Sequence, residues 1–219
     1  MTLPDPLSGR RPVIFDMDGV LVDSEPLFER GFITYMNAIG RPEMAGWYAN
    51  TLGRRQADFA PELALELGVE QDAVVAGLRA GVAPELDGQL VAMPGVPDAV
   101  HRIAAGRTVG LASSSRAPFV ERVLARLGIA DVFAARATGD EVSRGKPDPE
   151  LYVLAAARLA IDPATAFAIE DTPAGAAAAK AAGMTVIAIP NAHTRGLDLG
   201  AADAVVADLH AAADVILAG

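Results

Sequence analysis

Two carboxylates one residue apart, Asp16 and Asp18, close the apolar run Val13-Ile14-Phe15, and an adjacent pair, Glu170-Asp171, closes the run Ala166 to Ile169. Between them in the chain stand the hydroxyl cluster Ser113-Ser114-Ser115-Arg116 and a lysine, Lys146, in Gly-Lys-Pro-Asp-Pro. Acids, hydroxyls and an ammonium group suit phosphoryl transfer. Carboxylates are hard oxygen ligands of the kind that hold Mg²⁺ beside a substrate phosphate. A dication together with Lys146 would neutralise charge on a phosphoryl group in flight. Asp16 can attack phosphorus and form an aspartyl-phosphate, while Asp18 can give a proton to the leaving oxygen and later take one from water. The Ser113 hydroxyl and turn amides near the start of the next helix can hold the remaining phosphate oxygens, with Ser114 and Arg116 beside them as substrate contacts. The chain has no cysteine, and none of its three histidines, His101, His193 and His210, falls in these motifs, so a soft transition metal is disfavoured.

Each motif alone has a plainer meaning. Asp-x-Asp-Gly is also a turn signature, the serine run also a helix cap, and Glu170-Asp171 before Thr172-Pro173 also a favourable helix N-terminus. Lys146 resists such a reading, because only two of the eighteen basic residues are lysine. Where arginine is the habitual cation, a lysine marks a place that wants a compact ammonium. Four plain meanings falling in one register are less probable than one shared site.

The elements that must position these residues follow an α/β rhythm with one interruption. Val13 to Phe15 predicts a buried central strand, since a short continuous apolar run suits a parallel strand covered on both faces. Further strands are expected at Thr108 to Ala112, Ala135 to Thr138, Ala166 to Ile169, Thr185 to Ile189 and Ala204 to Val206. Helices are expected over 97–105, 118–127, from Pro149 to about Leu159, 174–182 and at the C-terminus. Strands alternating with helices imply a parallel sheet with right-handed crossovers, and ligands bind beyond the carboxyl ends of such strands. All the groups above fall at those ends. From Ser24 to about Val91 the pattern is helical instead, with helices starting at Asp23-Ser24-Glu25-Pro26 and over 56–67 and 71–80, and no strand is expected before Met93.

Composition narrows the partners. A net charge of −10 over 219 residues argues against nucleic acid and anionic membranes, which require a basic face. The opening Met1 to Arg11 lacks an apolar signal core and no later stretch is apolar enough to span a bilayer, so a soluble cytoplasmic protein is expected, and a monomer is the simpler expectation for this architecture. The absence of cysteine accords with a reducing compartment.

The ordered set Asp16-x-Asp18-Gly-Val, Ser113, Lys146-Pro-Asp-Pro and Glu170-Asp171 resembles the four motifs of the haloacid dehalogenase (HAD) superfamily. The opening Asp-Met-Asp-Gly-Val-Leu-Val-Asp-Ser-Glu-Pro, with a helical insert after it, resembles its subfamily I, which contains β-phosphoglucomutase and many sugar-phosphate phosphatases. The resemblance spans Pro12 to Ile216. It implies a Rossmann-like α/β core, residues 1–23 and 92–219, with an inserted α-helical cap, residues 24–91, that closes over substrate. It also implies Asp16 as nucleophile, Asp18 as acid and base, Ser113 and Lys146 as phosphate ligands, and Mg²⁺ held by Asp16, the Asp18 carbonyl and Asp171, with Glu170 in support. Gly53-Arg54 resembles a cap loop that touches substrate in the mutase branch. That branch carries a histidine on the first insert helix where this chain has Phe28, and no histidine occurs between Ser24 and Val91. The departure favours a phosphatase for a small phosphorylated sugar or polyol over a sugar phosphomutase. A dehalogenase needs neither Asp18 nor a metal, and a phospho-aspartate signalling or binding module needs no helical lid.

Overall fold

A computed structural model describes residues 10–52, 54–83 and 90–218. Gly53 and most of the Met1 to Arg11 opening lie outside the described residues. The expected α/β architecture is present: strands β1 (Val13–Phe15), β4 (Val109–Ser113), β5 (Ala135–Thr138), β6 (Phe167–Glu170), β7 (Thr185–Ala188) and β8 (Ala204–Val205) form one sheet in the order β5-β4-β1-β6-β7-β8. Every pairing in it is parallel, and Phe15 stands between Leu111 of β4 and Ile169 of β6. The chain leaves β1 toward β4 and β5, then returns to the other flank at β6. The order therefore reverses at β1, and a crevice opens beyond the ends of β1 and β6.

β1 reads as continuous hydrophobe because both faces of the sheet are covered. Val13 and Phe15 point into a core shared with α4 (Asp98–Ala104), α5 (Ala117–Leu127) and α8 (Leu209–Ala218). Ile14 points to the opposite face, packed by α6 (Glu150–Arg158) and α7 (Pro173–Ala181). All three side chains have no exposed surface. Full burial of a side chain of this size contributes about 1.5–3 kcal/mol, which commits β1 to the centre.

The helical segment contains α1 (Glu25–Ala38), a 3₁₀ stretch Pro42–Thr51, α2 (Gln56–Leu67) and α3 (Gln71–Val82). It carries its own apolar cluster, which includes Phe32, Met36, Leu63, Val74 and Leu78. Trp47 stacks on Phe32 with ring centroids 6.2 Å apart. α1 and α3 approach closely enough that a Cβ on Gly81 would overlap the Gly31 carbonyl.

One expectation is corrected here. A strand does precede Met93: β3 (Val91–Ala92) pairs antiparallel with β2 (Val22–Asp23), as Val22↔Ala92 and Asp23↔Val91. With two residues each, and Val91 at 62% exposure, neither strand is long enough to print an alternating pattern. The 3₁₀ stretch was likewise unexpected, because Gly40-Arg41-Pro42 stops α1 without signalling the type of the next element. Among the described residues, no helix is long and apolar enough to cross a membrane.

Candidate active site

β1 ends by delivering Asp16 into the crevice, its amide hydrogen-bonded to the Ile169 carbonyl at 2.9 Å. The chain then turns sharply: Gly19 has φ +81°, and its amide donates to the Val22 carbonyl at 2.8 Å. A side chain at Gly19 would be strained by that φ and would overlap Asp171 and Asn191. The turn brings Asp18 under the end of β4. There Asp18 Oδ1 accepts from Ser24 Oγ at 2.6 Å, and Oδ2 accepts from Ser115 Oγ at 2.9 Å and Ser113 Oγ at 3.3 Å.

β6 delivers the second acid pair. Glu170 Oε1 accepts from Lys146 Nζ at 2.6 Å and from Tyr152 Oη at 2.8 Å, and Oε2 accepts from the amides of Asp171 and Thr172 and the Thr172 hydroxyl. Thr172 also caps α7, accepting from the Gly175 amide at 3.1 Å, with Pro173 in the first turn. Lys146, only 5% exposed, spans the gap to β1 and donates to Asp16 Oδ1 at 2.6 Å. Asp171 Oδ2 accepts from Asn191 Nδ2 at 2.7 Å, and Asn191 also donates to the Gly19 carbonyl at 3.1 Å. Asp171 Oδ1 is buried with no partner among the described residues.

Burial sets the protonation pattern. It pushes Asp16 up to about 8 against the attraction of Lys146, with Glu170 and Asp18 adding to the rise. Asp18 is raised by burial and held back by the hydroxyls of Ser24 and Ser115. Asp171 is raised by burial, then by Glu170 and Asp16. Burial alone would lower Lys146, but its two carboxylate partners outweigh that and raise it, so it is an ammonium. One ammonium thus faces Asp16, Glu170 and Asp171, and the cluster is short of positive charge. Asp16, Glu170 and Asp171 each offer an oxygen within 4.8 Å of the others. An all-oxygen donor set with one unpaired buried carboxylate oxygen fits a hard dication.

The site opens into a cavity of about 590 Å³ lined on the sheet side by Asp16, Asp18, Ser114, Ser115, Arg116 and Lys146. The helical segment supplies Glu25, Phe28, Tyr48, Arg54 and Arg55 among its other walls. The structure brings Asp16, Asp18, Ser113, Lys146, Glu170 and Asp171 together, as their strand ends require. Ser113 is fully buried with its hydroxyl on Asp18, whereas Ser114 lines the cavity and its Oγ is buried with no partner among the described residues. Arg116 lines the wall while more than half exposed, 3.8 Å from Asp140. Arg54 lies on the wall too, but its guanidinium is engaged by Glu62 at 2.5 and 3.0 Å and by the carbonyls of Asn50 and Asp58. Phe28 packs on Phe119 of α5 at 5.4 Å. Among the described residues, no histidine lines the cavity.

Ser24, Ser115, Tyr152 and Asn191 are contributors that sequence reasoning alone does not single out. Asn191 had a signal: it lies just beyond β7, a fourth strand whose carboxyl end reaches the same crevice. Tyr152 had none, since a tyrosine inside a helix reads as core.

A family model described as haloacid dehalogenase-like hydrolase matches residues 11–183. The chain is 36% identical over 187 residues to hexitol phosphatase B of Escherichia coli K12, covering 81% of this chain and 82% of that one. It is 32% identical to the CbbY protein of Rhodobacter capsulatus, covering 93% and 95%. Among solved structures, a CbbY variant from Rhodobacter sphaeroides in complex with xylulose 1,5-bisphosphate superposes with a TM-score of 0.77 at 25% identity, covering 92% of this chain and 95% of that one.

Proposed function

This chain belongs to the haloacid dehalogenase-like hydrolase family, and we propose that it is a Mg²⁺-dependent phosphatase. Its substrate in this reading is a small phosphorylated sugar or polyol, and its intermediate an aspartyl-phosphate on Asp16. The observation that carries the reading is the pair Asp16 and Lys146 at one end of a cavity large enough for such a metabolite, with the unpaired Asp171 oxygen buried beside Asp16.

Asp16, the Asp18 carbonyl and Asp171 would hold the ion, with Glu170 supporting the set. Bound there, Mg²⁺ supplies charge neutralisation for the carboxylates and the phosphoryl oxygens. Lys146 fixes one Asp16 oxygen, which leaves the other to attack phosphorus in line with the ester oxygen. As the Asp16 oxygen–phosphorus bond forms and the ester bond breaks, Asp18 gives its proton to the leaving alkoxide. Its raised pKa suits that duty. Asp18, now a carboxylate, takes a proton from water, whose oxygen bonds to phosphorus. The bond to Asp16 breaks and inorganic phosphate departs. Ser114, which lines the wall, and Arg116 at the start of α5 stand on the side of the cavity where phosphate or leaving-group oxygens would lie.

The segment from 24 to 91 acts as the cap and chooses the leaving group, while residues up to 23 and from 92 form the core that recognises phosphate. Phe28 in ring contact with Phe119 leaves the cap side of the cavity without an imidazole, which supports water over a sugar hydroxyl as phosphoryl acceptor. The relatives named hexitol phosphatase and the xylulose bisphosphate complex support a sugar or polyol phosphate. A phosphate-release screen across hexitol, pentose, hexose and triose phosphates tests this. Release is expected with Mg²⁺, is lost in EDTA and returns on adding Mg²⁺. Turnover that ignores EDTA, or none on any substrate, overturns the reading.

A further inference from the structure

Arg55 is a cation for which the phosphoryl chemistry has no use, yet it is only 6% exposed. It precedes the first turn of α2 in the helical segment and reaches out of that segment. Its Nη1 donates to the carbonyls of Gly139 at 3.1 Å and Val142 at 2.7 Å, and its Nη2 to that of Ser143 at 3.0 Å. Asp58, one turn on, accepts from Nε at 2.7 Å and Nη2 at 2.5 Å. Among the described residues, the neighbouring Arg54 bonds only within its own segment. We propose that the Arg55–Asp58 pair is a latch that holds the helical segment shut on the loop leading to Lys146 and so positions Lys146 beside Asp16. The inference rests on the phosphatase reading for what the closed state accomplishes, though not for the latch itself.

Three features support it. The loop is built to be gripped from both sides: the amides of Ser143 and Arg144 turn toward Glu150, each at 2.9 Å, so the carbonyls of this stretch face Arg55. The pair is neutral as a unit, so it enters a recess lined by backbone without carrying net charge into it. Finally, Gly145 has no room for a side chain, and the atoms that a Cβ would overlap belong to Asp58 and Arg55. Lys146 is the next residue. Its reach to Asp16 therefore depends on where the 139–145 loop is held. Each hydrogen bond to a carbonyl is exchanged for one to water on opening, so the latch is reversible rather than permanent.

The test uses Arg55→Ala, Arg55→Lys and Gly145→Ala in the full-length protein. Amide hydrogen exchange over 54–60 and 139–146 is read beside the scattering radius and the kcat and KM for the best substrate of the screen. Arg55→Ala and Gly145→Ala are each expected to speed exchange on both faces by about tenfold and to enlarge the radius. Displacement of Lys146 should lower kcat by about tenfold or more, with KM changing less. Arg55→Lys, which keeps the charge and loses the fork, should fall between wild type and Arg55→Ala. Gly145→Ala leaves the arginine and its partner intact, so it carries the test should Arg55→Ala not fold. Unchanged exchange in both variants overturns the latch, and so does faster exchange with wild-type kcat. A wild-type protein that releases no phosphate overturns the phosphatase reading, and the exchange data then decide the latch alone.

Discussion

The two sides of the cavity differ in what they leave unpaired. On the sheet side Lys146 and Asp18 are bonded, but Ser114 Oγ and, behind the wall, Asp171 Oδ1 are buried with no partner among the described residues. On the helical side, Arg54 is satisfied by Glu62, Arg55 by Asp58 and three carbonyls, and Tyr48 Oη by Glu25. A buried polar atom without a partner costs about 1–3 kcal/mol. Its persistence beside a cavity points to a ligand that completes it. The sheet wall is thus prepared for a group of fixed chemistry, and the helical wall offers shape.

Replacing Asp16 with Asn tests the contrast most severely. The amide keeps the size and loses the nucleophile, so kcat should fall by about 10⁴-fold or more while the melting temperature stays near wild type. Activity within tenfold of wild type would remove Asp16 from the mechanism.

Lys146→Met and Arg54→Ala, compared in EDTA, probe the energetic side. Losing Lys146 strands Asp16 and Glu170 in the interior and should cost about 3–5 kcal/mol by urea denaturation. Arg54 pairs with Glu62 at the surface, with side chains 28% and 56% exposed, so its removal should cost at most about 1 kcal/mol. Equal losses would erase the distinction between the walls.

A similarly small effect is expected in the turn that follows β5. Glu141 accepts from the Thr138 amide at 2.9 Å and pairs with both Arg158 guanidinium nitrogens, at 2.7 and 2.8 Å. Hydrogen bonding to Arg158 first of all holds its carboxyl near 2, below the ordinary 4.5. Between those values the unfolded chain binds a proton that the native protein does not. The contribution is therefore complete above pH 4.5 and is lost as pH falls through about 2. Glu141→Gln should cost about 1 kcal/mol at neutral pH, with the difference from wild type shrinking over that acid range. A pH-independent gap would assign the effect to packing.

Much of the site was legible because a parallel sheet turns chain order into geometry. Asp16, Ser113 and Glu170-Asp171 each end an apolar run, and neighbouring strands must bring such ends together. Lys146 stood out by residue type alone. Contributions from within helices and loops were not legible: Tyr152 lies in the first turn of α6, and nothing in Gly-Arg-Arg says which arginine turns inward. That choice is made by α2, whose start aims Arg55 at the 139–143 carbonyls and leaves Arg54 beside Glu62. β2 and β3 leave no mark in the sequence because two residues cannot display a period.

The β2–β3 ladder has a consequence for exchange of parts between proteins. Because Asp23 pairs with Val91, the helical segment departs and returns one strand spacing apart, about 5 Å. Any foreign segment whose own ends lie that close could be spliced between these two residues without re-registering the sheet. If the proposed division between cap and core holds, such chimaeras would inherit leaving-group preference from the donor and phosphoryl chemistry from the recipient, with Asp23 and Val91 as the natural seams for recombination.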